Sequence, residues 1–430
     1  MEPEELQEWG DDFAAFHARF ATVFRRREPR EQYVKYLRGL LAPVKRKNGW
    51  QLAEAVGDKT PDRTQRLLYE DQWDADAARD ILQELVKETF ADEEGIGVVD
   101  ETGFLKKGTH SVGVKRQYSG TAGKVENCQV GTFLSYTTRR GHVFLDRRLY
   151  LPEEWSADQV RRAGAKVPEE VRFQTKPEQA AEMLEHAWAQ GIPMRWVVGD
   201  EVYGESTYLR DTIRQHGCGY VLAVRVNTRV WVQHAPGVTP AGSLRPVAEV
   251  AASWPESHWQ RLEVAPGEKG PRVYDWAYQR VRESREGGFG PWVWLLARRS
   301  VSKATEIAYY LAYASAETPL LTLAQVAASR YTVEQCIEEA KGETGLDEYE
   351  VRYWHSWYRH ITLSMMAHAW LAFVRAKSQR KKRHRALPGR ADGTRGSCPA
   401  GDRPALAAAL GGVALGLVGL ASGQTTAGPA

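Results

Sequence analysis

Through residues 1–90, apolar positions recur every three or four residues, the period of a helix face rather than a strand. Trp9, Phe13, Phe16, Phe20 and Phe24 form one such stripe, which predicts a buried aromatic face. Farther along, WQLAEAVGDKTPDRTQRLLYEDQW reads as a short helix through Val56, a turn at Gly57 and a second helix. Thr60 is the expected N-cap there, with Pro61 as the first helical residue. Arg63, Gln65 and Arg66 then open the second helix, as in a helix-turn-helix, although a plain helical hairpin with a solvated face fits the same pattern. Asp74 is placed to cap a further helix, DADAARDILQELVKETF.

From residue 95 the period shortens to that of strands. GIGVVDETGF, SVGVKRQYSG, NCQVGTFLSYTT and HVFLDRRLYLP, separated by Gly-bearing turns, predict an antiparallel meander. A helix, TKPEQAAEMLEHAWAQG, leads to a second apolar strand, MRWVVGDEVYG, then a helix, ESTYLRDTIRQHG, and the strand GYVLAVRV. That order suits an α/β fold built on a mixed sheet flanked by helices. Residues 226–300 break the alternation: they are rich in Trp, Gly and Pro, with strand-like runs such as PRVYDWAYQRV and PWVWLLARR, and read as a β-rich insertion. Residues 301–375 return to helix, ending in YWHSWYRHITLSMMAHAWLAFVRAK.

Composition changes this picture at one point. All Trp, Tyr and Phe fall before residue 386, and the last 45 residues hold no aromatic, Lys, Glu or Ile. Residues 376–430, a basic run followed by an Ala/Gly/Leu-rich tail, are expected to be disordered, and the tail reads as out-of-frame translation of a GC-rich gene. Its apolar stretch Ala405–Ala421 is too short and Gly-broken for a membrane anchor, so no membrane partner is expected. A formal charge of +3 over 430 residues leaves any nucleic-acid binding to local basic clusters such as Lys45-Arg46-Lys47. The four cysteines are scattered without a C-x-x-C pair, and the start MEPEELQEWGDD is acidic and polar. Both features fit a cytoplasmic protein rather than a secreted disulfide scaffold.

Two acids stand where chemistry is expected. Asp100 follows GIGVV and Asp200 follows RWVVG, each at the carboxyl end of an apolar strand, where α/β sheets present functional groups. An unpaired carboxylate is too costly to bury deep in a core, so each either caps a local turn or binds something. A third candidate lies in RYTVEQCIEEAKG: Arg330, Glu334 and Lys341 share one helix face, within about 40° of one another. Glu338 lies near that face and is the fallback acid. A surface ladder of ion pairs would have the same spacing. Three carboxylates from different elements can hold the divalent ions that in-line phosphodiester cleavage uses.

These motifs together resemble the DDE-type transposases of bacterial insertion sequences, in the branch with a Y-x2-R-x3-E-x6-K signature, and the insertion sequence 701 family above all. The matching residues are Val99-Asp100-Glu101-Thr102-Gly103, Gly199-Asp200-Glu201-Val202-Tyr203-Gly204, and Arg330, Glu334 and Lys341. The resemblance runs from about residue 20 to residue 375. One departure is that Ala327 stands where the signature has tyrosine. The resemblance implies an RNase H-like catalytic domain in two parts, 91–225 and 301–375, separated by the insertion, with residues 1–90 as a DNA-binding region. It also implies an endonuclease and strand transferase that cuts at element ends and joins the freed 3′-hydroxyl to target DNA. Asp100, Asp200 and Glu334 would be catalytic and would ligate two Mg²⁺ or Mn²⁺ ions. Arg330, Lys341, Tyr203, Lys106, Lys107, Lys115 and Arg116 would contact DNA, and an insertion Trp would stack on a displaced base. Partners would be double-stranded DNA, both terminal repeats and target, and a second copy on paired DNA ends, in a nucleoid-associated cytoplasmic location. A catalytically silent DNA-binding regulator and an RNase H-type nuclease are the competing readings.

Overall fold

The computed structural model describes residues 3–233, 242–267, 270–286 and 288–386. The chain opens with five helices: α1 (Pro3–Ala18), α2 (Arg27–Leu41), α3 (Gly49–Ala55), α4 (Asp62–Tyr69) and α5 (Ala75–Phe90). The aromatic stripe is buried as expected, with Phe20 and Phe24 at most 1% exposed. Asp74 caps α5 by accepting from the backbone N–H groups of Asp76 and Ala77. The α4 cap differs from the expectation: Pro61 is the N-cap, the helix starts at Asp62, and the Thr60 hydroxyl donates to the Asp62 carboxylate instead of capping.

Strands β1 (Ile96–Leu105), β2 (Lys115–Ser119), β3 (Lys124–Thr138) and β4 (Gly141–Tyr150) form the antiparallel meander. Short helices α6 (Glu153–Ala157) and α7 (Gln159–Gly164) precede α8 (Lys176–Ala189), which starts with a Thr175/Glu178 capping box. Then come β5 (Trp196–Gly199), α9 (Glu201–Gly204), α10 (Thr207–Gln215) and β6 (Gly219–Val224). The core sheet runs β4-β3-β1-β5-β6, with β1, β5 and β6 parallel and β3 antiparallel to β1. This is the RNase H-like arrangement, a mixed sheet flanked by helices.

The Trp-rich region extends that sheet. Strands β7 (Arg229–Gln233) and β8 (Gly242–Pro246), helix α11 (Val247–Ala252), and strands β9 (Gln260–Ala265), β10 (Arg272–Arg285), β11 (Gly288–Ser300) and β12 (Ile307–Tyr313) follow in sequence. β12 returns to pair antiparallel with β6, so one 12-stranded sheet spans core and extension. The chain closes with α12 (Leu320–Ala328), α13 (Tyr331–Thr344) and the 33-residue α14 (Trp354–Ala386). Residues 301–375 are thus not helical throughout as expected: β12 occupies Ile307–Tyr313, held by its pairing with β6 and β11, and the segment that follows forms two helices divided at Ser329–Arg330.

α14 is the spine of the molecule. It packs on β4 and α5, and its rings meet the N-terminal stripe, with Phe13 against Trp370 at 5.2 Å and Phe16 against Phe373 at 5.6 Å between centroids. The N-terminal helices therefore share a core with the sheet layer. The expectation of disorder from residue 376 is corrected for its first part, because residues 376–386 continue α14; the tail from residue 387, with the remaining expectations made for it, lies outside the described residues. Among the described residues no helix is long and apolar enough to cross a membrane.

Candidate active site

Register brings the two acids together. β1 and β5 pair in parallel only from Ile96–Trp196 to Val99–Gly199. Asp100 and Asp200 are the next residue on each, so both leave the last paired rung side by side. β1 itself does not end at Asp100, as the sequence had implied; it continues to Leu105 paired with β3 alone. What ends there is the parallel ladder. Gly199 permits the close approach, since a Cβ on it would lie 2.8 Å from Val99 Cγ2. Gly204 does the same for α9, where a Cβ would strike the Ala223 carbonyl of β6. Asp200 caps α9 through the Val202 N–H, which fixes its carboxylate at the helix entrance.

Asp100, Glu101 and Asp200 each place a carboxylate oxygen within 4.8 Å of the other two. Burial pushes the Asp100 carboxyl up to about 7, and the neighbouring Asp200 and Glu101 charges act in the same direction against the pull of Arg330. Asp200 is raised as well, by burial and then by Glu101. Such a cluster is short of positive charge, and its hard oxygen donors suit a divalent cation.

Glu101 was not foreseen as a member. Strand alternation would turn its side chain away from that of Asp100, yet its carboxylate reaches the cluster, where its oxygens meet Lys176 Nζ at 2.6 Å and the Tyr203 hydroxyl at 2.8 Å. The repeated Asp-Glu pair, 100–101 and 200–201, is the only sequence signal that pointed to it. Tyr203 is fully buried, so the expectation that it faces DNA is corrected: its hydroxyl donates to Glu101 and orients that carboxylate.

Glu334 approaches from α13. Arg330, the residue before the helix, bridges the two elements: one Nη donates to Asp100 Oδ2 at 3.0 Å and the other to the Glu334 carboxylate. Glu334 is itself 46% exposed on its side chain and lies outside the close trio of carboxylates. Glu338 is exposed. Lys341 docks the other end of α13 on β1, donating to Thr102 Oγ1 at 2.9 Å and Thr121 Oγ1 at 3.0 Å. Both signature cations thus tie α13 to the strand that carries Asp100. Ala327 is buried in α12, and Tyr331 lies beneath the Arg272 guanidinium at 3.6 Å.

The remaining cations divide. Lys106 folds back onto Tyr349, 3.5 Å from its ring centroid and 3.0 Å from its carbonyl, and burial pulls its ammonium down to about 8. It is bound to the protein rather than offered to a phosphate. Lys107 and Arg116 are exposed, and exposed Lys115 pairs with Glu154. On α4, Arg63, Gln65 and Arg66 all face solvent, and Trp50 on α3 is 58% exposed. In the sheet extension Trp254 and Trp276 are core residues, whereas Trp292 and Trp294 sit beside Arg280 on one face.

Fold and site together define an RNase H-like protein with a carboxylate cluster at the end of its parallel ladder. The chain belongs to a family described as DDE superfamily endonuclease, which it matches over residues 19–279. That span contains Asp100, Glu101 and Asp200 and stops short of Glu334. The chain is also 31% identical over 196 residues to a protein of Microchaete diplosiphon described as a probable transposase for insertion sequence element IS701. This match covers 45% of the chain and 48% of that relative, so it spans about half of the relative's length. Among solved structures, a piggyBac transposase synaptic complex with hairpin DNA aligns over 97% of this chain and 73% of its own, at 11% identity and a TM-score of 0.38. The NurA nuclease from Sulfolobus solfataricus aligns over 74% of this chain and 94% of its own, at 9% identity and a TM-score of 0.26.

Proposed function

We propose that this chain is an insertion-sequence transposase that cleaves DNA at the ends of its element and transfers the 3′-hydroxyl strand into target DNA. The observation that carries this reading is the Val99–Gly199 register, which sets Asp100 beside Asp200 under the Arg330–Glu334 arm of α13. Asp100, Asp200 and Glu334 would hold Mg²⁺ or Mn²⁺, with Glu101 as an adjoining acid. Divalent cations held there would supply activation of the attacking oxygen and stabilisation of the leaving one.

The chain's own groups then have distinct tasks. Asp100 occupies the shared position between the other acids. Tyr203 and Lys176 hold Glu101 in place. Arg330 neutralises Asp100 and Glu334 in the free protein, and a DNA phosphate is the natural acceptor for its guanidinium once cations take the carboxylates. Lys341, at the other end of the same helix face, is the second phosphate contact. Duplex DNA would also lie against the exposed side chains of α3 and α4. Trp292 and Trp294, flanked by Arg280, offer a stacking face for an unpaired base. Two copies would act on paired ends.

The test is cleavage of a duplex carrying the element's terminal repeats. Nicking that requires Mg²⁺ or Mn²⁺, is lost in Asp100→Asn and Asp200→Asn, and yields strand-transfer products supports the proposal. DNA binding without cleavage under all metal conditions would reduce the chain to a regulator. Cleavage of RNA–DNA hybrids alone would make it an RNase H-type nuclease.

A further inference from the structure

On the opposite side of α13 from the acids lies a second cluster of different chemistry. Five residues separate Glu334 from Glu339, about 140° around the helix, so Glu339 points inward toward β4 and α14. Its Oε2 lies 3.2 Å from His142 Nε2 on β4 and 3.6 Å from His368 Nε2 on α14. The three donor atoms all lie within 4.8 Å of one another. Cys336, one turn back on α13 and fully buried, has its Sγ 4.0 Å from His368 Nε2.

This packing leaves a polar group unmet. His368 is 2% exposed, its Nδ1 has no hydrogen-bond partner, and its Nε2 is beyond hydrogen-bond reach of Glu339. Two imidazoles crowd a single carboxylate oxygen, and Arg375, 3.2 Å from both Glu339 oxygens, already neutralises that charge. With the proton on Nδ1, Nε2 presents its lone pair toward the Glu339 carboxylate and the Cys336 sulfur, as a metal ligand would.

We propose that His142, Glu339 and His368, with Cys336 as fourth ligand, form a zinc site that clamps the catalytic-face helix to β4 and α14. Zinc bonds of about 2.0–2.3 Å in a tetrahedron place donors about 3.4 Å apart, and the 3.2 and 3.6 Å from Glu339 Oε2 to the two imidazoles lie within a few tenths of an ångström of that. Imidazole and thiolate select zinc over the hard cations suited to the Asp100 cluster. Arg375 remains on the carboxylate as an outer partner, orienting it and balancing the thiolate's added charge. The site would fix the height of α13, and so of Glu334, over the sheet.

The full-length protein is loaded with Zn²⁺ in excess Mg²⁺, desalted, and its metal content measured. About one zinc per chain is expected, with a raised melting temperature. His142→Asn and His368→Asn should each lower zinc affinity by about tenfold or more while circular dichroism stays native, and Asp100→Asn should leave it unchanged. Because the fully buried His368 variant can fail to fold, the less deeply buried His142 variant carries the decision. Loading with Co²⁺ should give a sulfur-to-metal charge-transfer band that Cys336→Ser abolishes. Folded wild-type protein that retains no zinc overturns the site, as does zinc lost in Asp100→Asn but kept in His142→Asn. A cobalt spectrum without the charge-transfer band removes Cys336 from the ligands.

Discussion

Two buried aspartates on the same sheet resolve burial in opposite ways. Asp146 on β4 is fully buried, and burial alone would raise its carboxyl. Arg148, Arg79 and Arg147 outweigh that and hold it at about 2. Arg79 grips both of its oxygens at 2.9 Å. Asp100, with the single guanidinium of Arg330 shared with Glu334 and two further acids close by, is driven to about 7. One site has an excess of cations and is structural. The other has a deficit that only an added cation removes. The sign of local charge imbalance, more than burial, separates framework from function here.

The sharpest way to break this comparison is to neutralise each carboxyl. Asp100→Asn or Asp200→Asn should reduce cleavage by on the order of a thousandfold, about 4 kcal/mol of barrier, and leave the melting temperature unchanged or higher. Melting and gel-based cleavage measured on one preparation check both halves. Asp146→Ala should do the reverse, destabilising the fold by about 3 kcal/mol because Arg79 and Arg147 lose their one fully buried counter-charge and keep only the more exposed Asp80 and Asp76. Urea unfolding reads that loss, and equal losses of stability at the two sites would erase the distinction.

A third buried group sharpens it. His360 on α14 receives neither cation nor anion and stays neutral: its rings nitrogens meet the Tyr36 hydroxyl at 2.8 Å and the Gly345 carbonyl at 3.0 Å, and burial pulls its pKa to about 4. The unfolded chain, with a histidine near its ordinary value of about 6.5, takes up a proton that the folded one refuses. The contribution is therefore complete above about pH 6.5 and lost as pH falls toward 4, amounting to about 3 kcal/mol. His360→Gln should flatten the fall in melting temperature across that window; an unaltered slope would assign it to other histidines. The smallest effect concerns the tethers of α13. Lys341→Ala should lower the salt slope of DNA binding by about 0.9, the value of one phosphate contact. An unchanged slope would leave Lys341 as a purely internal tie to Thr102.

The acids themselves were legible because each follows an apolar strand that has no structural use for a charge. The aromatic stripe and the Asp74 cap were legible for similar reasons, since period and capping chemistry are local. What escaped depends on pairing between distant segments. Asp100 looked like a strand terminus because apolarity stops there, yet β3 carries the strand five residues further. Tyr203 fits a surface or an interior equally well, and only its contact with Glu101 decides between them. The helix break at Ser329–Arg330 leaves no Gly or Pro as a marker. His142, Glu339 and His368 come from three elements that only the folded sheet and α14 bring together.

One consequence of the sheet's continuity concerns how such a protein can change over evolutionary time. β6 and β12 are neighbours, with Val224 opposite Tyr309, so the chain departs from the five-stranded core and re-enters it at adjacent points. Residues 225–308 therefore hang from the core like a cassette with both ends at one seam. A cassette of this kind can grow, shrink or be exchanged without re-threading the strands that hold Asp100 and Asp200. Its loss is constrained from the other side: a deletion that also took β12 would bare β6 as an open sheet edge, an invitation to edge-to-edge aggregation. A lineage that trimmed it would have to retain β12, or cover that edge anew.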